Sequence, residues 1–221
     1  MLSFVAGLVN VSGVMQLQVL TTNVTGHFAY FAENIVLSRY ADAIILVFYV
    51  TSFLLGAFSS SFLIELFSRK PVVSRYVFPI SVEIICLLLV ALIGDITTAG
   101  YLLASVLLFA MGIQNALVSR ISNSVVRTTH LTGLFTDLGI ELSLLIFHKR
   151  NNQNTRKLKQ NIYLKFIIIL FFFFGSIAGG FLALKFQFKT LLIAVVCLVI
   201  AMSYDYFKIS YVQIKRRLLQ R

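Results

Sequence analysis

Eight apolar segments, joined by short polar connections, follow one another along this 221-residue chain. A helix needs about 20 predominantly apolar residues to cross a bilayer, and six of the segments meet that requirement comfortably. The second and sixth do not, because they contain histidine and carboxylate side chains. The segments span roughly residues 2–20, 23–38, 42–67, 76–94, 99–118, 130–148, 161–184 and 189–208.

The composition excludes an ordinary soluble domain. Apolar residues make up 59% of the chain and charged residues only 12%, whereas soluble domains carry about 25% charged residues. A chain of this size still exposes much of its surface, and lipid tolerates such a surface. We therefore expect an all-α integral membrane protein, with residues 1–221 forming a single membrane domain in contact with the lipid bilayer.

Cofactors and nucleic acid are not expected. The two cysteines, Cys86 and Cys197, lie inside apolar runs, and no metal-binding spacing of Cys and His occurs. The net charge of +11 is explained by Lys and Arg in short loops, as in other membrane proteins. No metal, no cofactor and no nucleic-acid partner are therefore predicted.

The distribution of basic side chains chooses between two topologies. If the second and sixth segments add no crossing, 16 of the 19 Lys and Arg residues are cytoplasmic, all except Arg39, Lys185 and Lys189. If all eight segments cross, the cytoplasmic number falls to 12. Because cytoplasmic loops are enriched in Lys and Arg, we predict six transmembrane helices plus two shorter re-entrant or discontinuous helices. Both termini are then cytoplasmic, and residues 209–221 form a basic cytoplasmic tail.

The two halves of the chain, residues 1–95 and 96–208, carry the same motifs in the same order. A Gly-x-x-Asn motif recurs at a separation of 105 residues, and a Thr-Gly pair recurs at 107. Since three crossings per half is an odd number, the halves are predicted to be inverted repeats, which are frequent in transporters. The matched residues are Gly7 with Gly112, Asn10 with Asn115, Thr25-Gly26 with Thr132-Gly133 and, by placement, Gly56 with Gly175.

The second and sixth segments each begin with Thr and Gly and continue as helices. A helix that starts inside the membrane presents free N–H groups and a partial positive charge to its surroundings. We predict that the two starts face each other and form a polar solute or ion site near the bilayer centre; alternatively, Thr and Gly only permit close helix packing. The predicted lining residues are Thr22, Thr25, Gly26, Thr129, Thr132 and Gly133.

Amide side chains interrupt the first and fifth segments. Asn10, Gln114 and Asn115 either hydrogen-bond between helices or contact the solute. His27 and His130 nearly align in the repeat, and they either cap helices near the surface or relay protons.

Carboxylates in apolar segments are costly and usually face a cavity or a partner. Asp137 and Glu141 are four residues apart and share one helix face, and Glu33 has a comparable place in the first half. They carry coupling protons or cations, or else they form a salt bridge to Arg120 or Arg127 or lie shallow enough in the membrane to contact water.

Small residues and basic loops predict further contacts. Gly56, Gly175, Gly179 and Gly180 favour close helix packing, within the chain or between the subunits of a homo-oligomer. The basic stretch 149–159 is predicted to be a solvated cytoplasmic loop that touches anionic lipid.

The same motifs resemble the YoaK family of bacterial membrane proteins. The resemblance is carried by Ala-Gly-x-x-Asn at 6–10, Thr-Gly-His at 25–27, Met-Gly-Ile-Gln-Asn-Ala at 111–116 and Thr-Thr-His-Leu-Thr-Gly at 128–133. It implies a six-span protein of the bacterial cytoplasmic (inner) membrane, of a family without a known function, and it supplies no substrate.

The sequence favours a transporter of a small solute or ion, with proton coupling as an option. A non-transporting scaffold or sensor is the alternative, and a membrane-embedded enzyme is the third; no catalytic residue is predicted.

Overall fold

The computed structural model describes residues 1–68, 72–121, 131–147 and 152–204, without the side chains of 72–75 and 152–154. All regular secondary structure in these ranges is helical, so the predicted all-α class is confirmed for them. A 3₁₀ turn at Gln187–Thr190 leads into helix α8, which is described over 191–204. The preceding helices are α1 (Leu2–Leu17), α2 (Val24–Val36), α3 (Tyr40–Leu66), α4 (Val72–Ile93), α5 (Gly100–Ile121), α6 (Leu131–Phe147) and α7 (Asn152–Phe186).

Four helical stretches of the described chain are long and apolar enough to cross a membrane, namely Tyr40–Leu66, Tyr76–Ile93, Gly100–Ile121 and Thr155–Tyr204. The last is 50 residues long and includes the 3₁₀ turn, where Gln187 has a φ of 49°. A straight helix of that length would measure about 75 Å, more than twice the hydrocarbon thickness of about 30 Å. α1 is apolar but has only 16 residues. The described residues therefore contain four qualifying stretches, where the sequence predicts six spans.

The surface of the helices is strongly apolar. Large side chains such as Phe58, Phe62, Phe173 and Phe181 are more than half exposed. Apolar patches on this scale are unfavourable in water but not in lipid. The helices are therefore compatible with a membrane protein.

α1 and α7 cross with their backbones in contact at glycine. A methyl group at Gly7 would overlap the carbonyl oxygen of Phe172, and one at Gly175 would overlap that of Phe4. Only glycine allows two helices to approach this closely.

α3 and α5 cross in the same way. A methyl group at Gly112 would overlap the carbonyl oxygen of Phe53, and one at Gly56 would overlap that of Phe109. Each of these four residues has a counterpart in the α1–α7 crossing, in the same role. The motifs that match in sequence thus make matching contacts.

Helix directions follow from contacts near the helix ends. Gln114 Nε2 donates a hydrogen bond of 2.7 Å to the carbonyl oxygen of Leu2, at the start of α1. Leu17, at the end of α1, lies 3.5 Å from the Cβ position of Gly100, at the start of α5. α1 and α5 therefore run antiparallel.

Within each close-packed pair the helices run parallel. Beyond the contact of Phe4 with Gly175, Gln16 Nε2 donates to the Ala183 carbonyl oxygen at 3.2 Å, so α1 and α7 advance together. α3 and α5 also advance together. Gly56 of α3 lies beside Phe109 of α5, and further along both helices Arg120 Nε of α5 donates to Ser61 Oγ of α3 at 3.3 Å.

α8 folds back onto the main core. Phe188 in the 3₁₀ turn packs against Gly94, immediately after α4. Leu191 and Leu198 are fully buried and join the same apolar cluster as Val5 of α1 and Leu87 of α4.

The predicted loop at 149–159 is wrong over much of its length, because α7 begins at Asn152. Lys, Arg and Gln are good helix formers, so a basic stretch that precedes an apolar span can extend its helix.

The glycine crossings predict the effect of single methyl groups. We expect Gly56→Ala and Gly175→Ala each to lower the free energy of unfolding by about 1–3 kcal/mol, because the methyl meets backbone rather than a movable side chain. Thermal unfolding of the purified chain in detergent measures the change.

Gly139→Ala is the matched control, because no described atom other than those of its own helix backbone and chain neighbours lies within 4 Å of that Cβ position. It should be neutral, or stabilise by up to about 1 kcal/mol through helix propensity. Equal unfolding midpoints for all three variants would contradict the crossing.

Candidate functional site

The chain turns back on itself directly after α1. Gln18 adopts the left-handed conformation with φ of 57°, and the Val19 N–H donates to the Gly13 carbonyl oxygen at 3.3 Å. Gly13 also leaves room for the returning segment, since a Cβ there would lie 2.6 Å from the Thr21 methyl. Residues 18–23 therefore run back along α1.

Asn10 holds the returning chain at the middle of α1. Its Oδ1 accepts hydrogen bonds from the Thr22 N–H at 3.2 Å and the Thr22 hydroxyl at 3.0 Å. Asn10 precedes Leu17 by seven residues, which corresponds to about 10 Å along the helix axis. The return segment thus reaches mid-helix depth before α2 begins.

α2 starts at this depth. The Asn23 side chain caps it by accepting from the Gly26 N–H at 3.1 Å. His27 is buried; because a carbonyl oxygen only accepts, its Nε2 donates to Leu20, 2.8 Å away. The His27 ring also meets Tyr49 of α3 edge-on, with ring centroids 5.5 Å apart.

A cavity of about 810 Å³ lies where the two sets of motifs meet. Its described lining consists of amide, hydroxyl, glycine and apolar groups, without a charged side chain. The lining residues are Asn10, Leu20, Thr22, Asn23, Val24, Thr25, Gly26, Ala29, Phe53, Asn115, Leu131, Thr132 and Phe172.

The cavity brings together equivalent residues of the two halves. Asn10 and Asn115 both line it, as do Thr25 and Thr132. Since Leu131 is the first residue of α6, the starts of α2 and α6 both border the cavity. The partial positive charge at each helix start makes this end of the site favourable for electron-rich atoms.

Several predicted site residues lie elsewhere. Gln114 is buried and bonded to Leu2, and Glu33 is exposed on α2. Gly133 lies in the first turn of α6 but does not line the cavity. Thr129 and His130 lie outside the described residues.

Asp137 and Glu141 form an ion-pair cluster with a residue that the sequence analysis did not select. Lys165 of α7 places its Nζ 2.8 Å from Glu141 Oε1 and 3.5 Å from Asp137 Oδ2. The alternative of a salt bridge to Arg120 is wrong, because Arg120 pairs with Glu65 at 3.4 Å, and Arg127 lies outside the described residues. The Lys165 side chain is only 7% exposed, so its ammonium needs a carboxylate at this depth.

Sequence reasoning also missed the aromatic walls of the cavity. Phe53 and Phe172 are 119 residues apart, the same separation as Gly56 and Gly175. Each Phe lies three residues before its glycine, so extending the glycine match by one turn would have identified the pair.

The return segment depends on Asn10, which yields a prediction. We expect Asn10→Val to accelerate hydrogen exchange of the Thr22 amide about tenfold, because about 1.4 kcal/mol of hydrogen bonding is lost. Hydrogen–deuterium exchange with mass spectrometry, resolved at residues 18–23, measures the rate.

Asn34→Val is the control, since among the described residues the Asn34 side chain bonds within α2, to the Tyr30 carbonyl oxygen at 2.9 Å. Unchanged exchange in both variants would show that Asn10 does not hold the segment.

The family of the chain follows from comparison with known proteins. A family model described as a protein of unknown function, DUF1275, matches residues 1–204. This is the family that includes YoaK, so the resemblance carried by the motifs is confirmed. No curated protein and no solved structure matches the chain. The chain therefore belongs to the DUF1275 family of proteins of unknown function.

Proposed function

We propose that this protein is a membrane transporter for a small polar solute, which binds in the cavity between its two halves. The observation that carries the proposal is the lining itself, in which Asn10 and Thr25 are joined by Asn115 and Thr132. Transporters built from inverted repeats bind their solutes at the interface of the repeats, at helices that begin inside the membrane.

The proposed topology has six crossings and two inverted halves. The antiparallel course of α1 and α5 supports it, because eight crossings would make these helices parallel. α2 supports it too, since it starts beside Asn10 and returns along α3, where His27 meets Tyr49. α6 packs along α7 in the corresponding way, with Leu134 and Ile168 in one buried cluster.

The chemistry of the lining supports a neutral polar solute or a small monovalent anion. Amides and hydroxyls both donate and accept hydrogen bonds, and two helix starts add positive potential. A cation would find no carboxylate among the described lining residues. The volume of about 810 Å³ is within the usual range of ligand pockets.

The polar cavity also favours transport over a scaffold, whose core does not need one. It favours transport over an enzyme as well, because the described lining residues include no nucleophile with its base. We place the protein in the bacterial cytoplasmic membrane with both termini inside, because that orientation puts most Lys and Arg beside anionic lipid.

Solute uptake tests the proposal. The purified chain, reconstituted in phospholipid vesicles, should take up at least one of a panel of labelled formate, nitrate, acetate, urea and glycerol. We expect the double substitution Thr25→Val and Thr132→Val to weaken solute affinity about tenfold, because two hydroxyl hydrogen bonds are lost at constant side-chain shape.

Thr136→Val is the matched control, because its hydroxyl bonds within α6, to the Thr132 carbonyl oxygen at 2.9 Å. Uptake that is equal in the double variant, in Thr136→Val and in the wild type would place the solute site elsewhere. Absence of uptake across the panel would count against a transporter of these solute classes.

A further inference from the structure

The fourth helix carries an acid in its middle. Glu83 is the twelfth of the 22 residues of α4 and is 0% exposed. It belongs to the face of α4 that also contains Ile80, Leu87 and Val90, spaced three and four residues apart and all buried in the main apolar cluster. The carboxyl group is therefore directed into the core rather than toward lipid.

Glu83 has no partner there. Neither carboxyl oxygen makes a hydrogen bond with any described residue. By contrast, the partly buried acid Glu141 is paired with Lys165. Burying an isolated carboxylate in apolar surroundings costs far more than burying a neutral carboxyl, so the side chain is stable in this position only with its proton bound.

Other titratable groups do not substitute for a partner. α4 itself contributes Tyr76 and Cys86, and α8 contributes Cys197, all packed against the same cluster. On the elements that pack against α4, the described charged or titratable groups form a salt bridge, contact another ring or are exposed. These groups are Glu65 with Arg120, Tyr49 beside the His27 ring, and the exposed Tyr40, Asp42, Tyr101, Lys189 and Tyr204.

A crevice between helices reaches the residue one turn after Glu83. Cys86 lines a crevice of about 490 Å³ between α3, α4 and α5. The crevice extends to Thr97 and Ala99 in the turn between α4 and α5. Three residues separate Cys86 from Glu83, a rise of about 4.5 Å. A small movement of α4 would extend the crevice to the carboxyl group.

The helix has a point at which to move. Pro79 lies inside α4, one turn before Glu83. Proline lacks the N–H that would bond to the carbonyl four residues earlier, so α4 can bend there at lower cost than elsewhere.

We propose that Glu83 is the proton-binding residue of this protein. Its carboxyl group carries a proton while α4 is packed as in this structure, here called closed, and loses the proton when α4 opens by bending at Pro79. Opening breaks the carboxyl O–H bond and releases the proton to water in the crevice, and closure requires its return. The inference rests on the proposed function, because in a transporter this step couples proton movement to solute movement.

The test has two readouts that need no solute. Infrared spectra of the wild-type chain in phosphatidylethanolamine–phosphatidylglycerol vesicles should contain the C=O band of a protonated carboxyl at neutral pH. The band should disappear in Glu83→Gln and in Glu83→Leu, and it should remain in Glu65→Gln, whose carboxyl is exposed and paired.

The second readout is the alkylation rate of Cys86 by a membrane-impermeant maleimide, in a Cys197→Ser background. Opening linked to loss of one proton changes the open fraction by up to about tenfold per pH unit. We compare the alkylation rate with Glu83 present to the rate with Glu83→Gln in the same Cys197→Ser background. The ratio of the two rates should rise with pH, by up to about tenfold per pH unit.

The outcomes separate the two proposals. Loss of the band together with a pH-dependent rate ratio supports the inference, whether or not any panel solute is transported. A band that is missing in the wild type or persists in both Glu83 variants overturns it. A lost band with a constant rate ratio also overturns it, because Glu83 would then be a static buried acid.

Discussion

The direct contact of helix backbones at glycine is the constraint on which the rest of the structure depends. Gly7 and Gly175 join α1 to α7, and Gly56 and Gly112 join α3 to α5. Helices in lipid gain little from burying apolar surface, so close approach and dense packing must supply their association. Because each pair combines one helix from each half, the halves are interlocked, and the cavity lies where the interlocked pairs meet.

The two halves share contacts but not chemistry. His27 and Tyr49 are in contact in the first half. Their counterparts in the second half are Leu134 and Ile168, which share an apolar cluster. The second half instead carries the ion-pair cluster centred on Lys165. A symmetric framework with unlike polar groups is what a transporter needs if its two sides open under different conditions, and this asymmetry is consistent with the proposed role of the buried acid in α4.

Hydropathy predicted the helices well because an apolar run must form its own backbone hydrogen bonds in lipid. The segment at 2–20 became α1 at Leu2–Leu17, and the segment at 130–148 became α6 at Leu131–Phe147. The ion pairs between helices were not predictable in the same way. Asp137 and Glu141 bond to Lys165, 24 residues or more along the chain, and helix periodicity cannot identify a partner on another helix. Asn10, Thr22, Thr25, Gly26 and Thr132 were selected from the sequence and lie together in the lining, whereas the aromatic walls could be selected only by extending the glycine match by one turn.

The opposed orientation of the halves is the central claim, and the sidedness of three single cysteines tests it most directly. Gln18→Cys, Ser68→Cys and Thr98→Cys, each in a background with Cys86 and Cys197 replaced by Ser, would be labelled in intact cells with an impermeant maleimide. With six crossings, positions 18 and 98 lie on one side of the membrane and position 68 on the other, whichever way the protein is inserted. Labelling that groups position 18 with position 68, and separates both from position 98, would contradict the inverted arrangement.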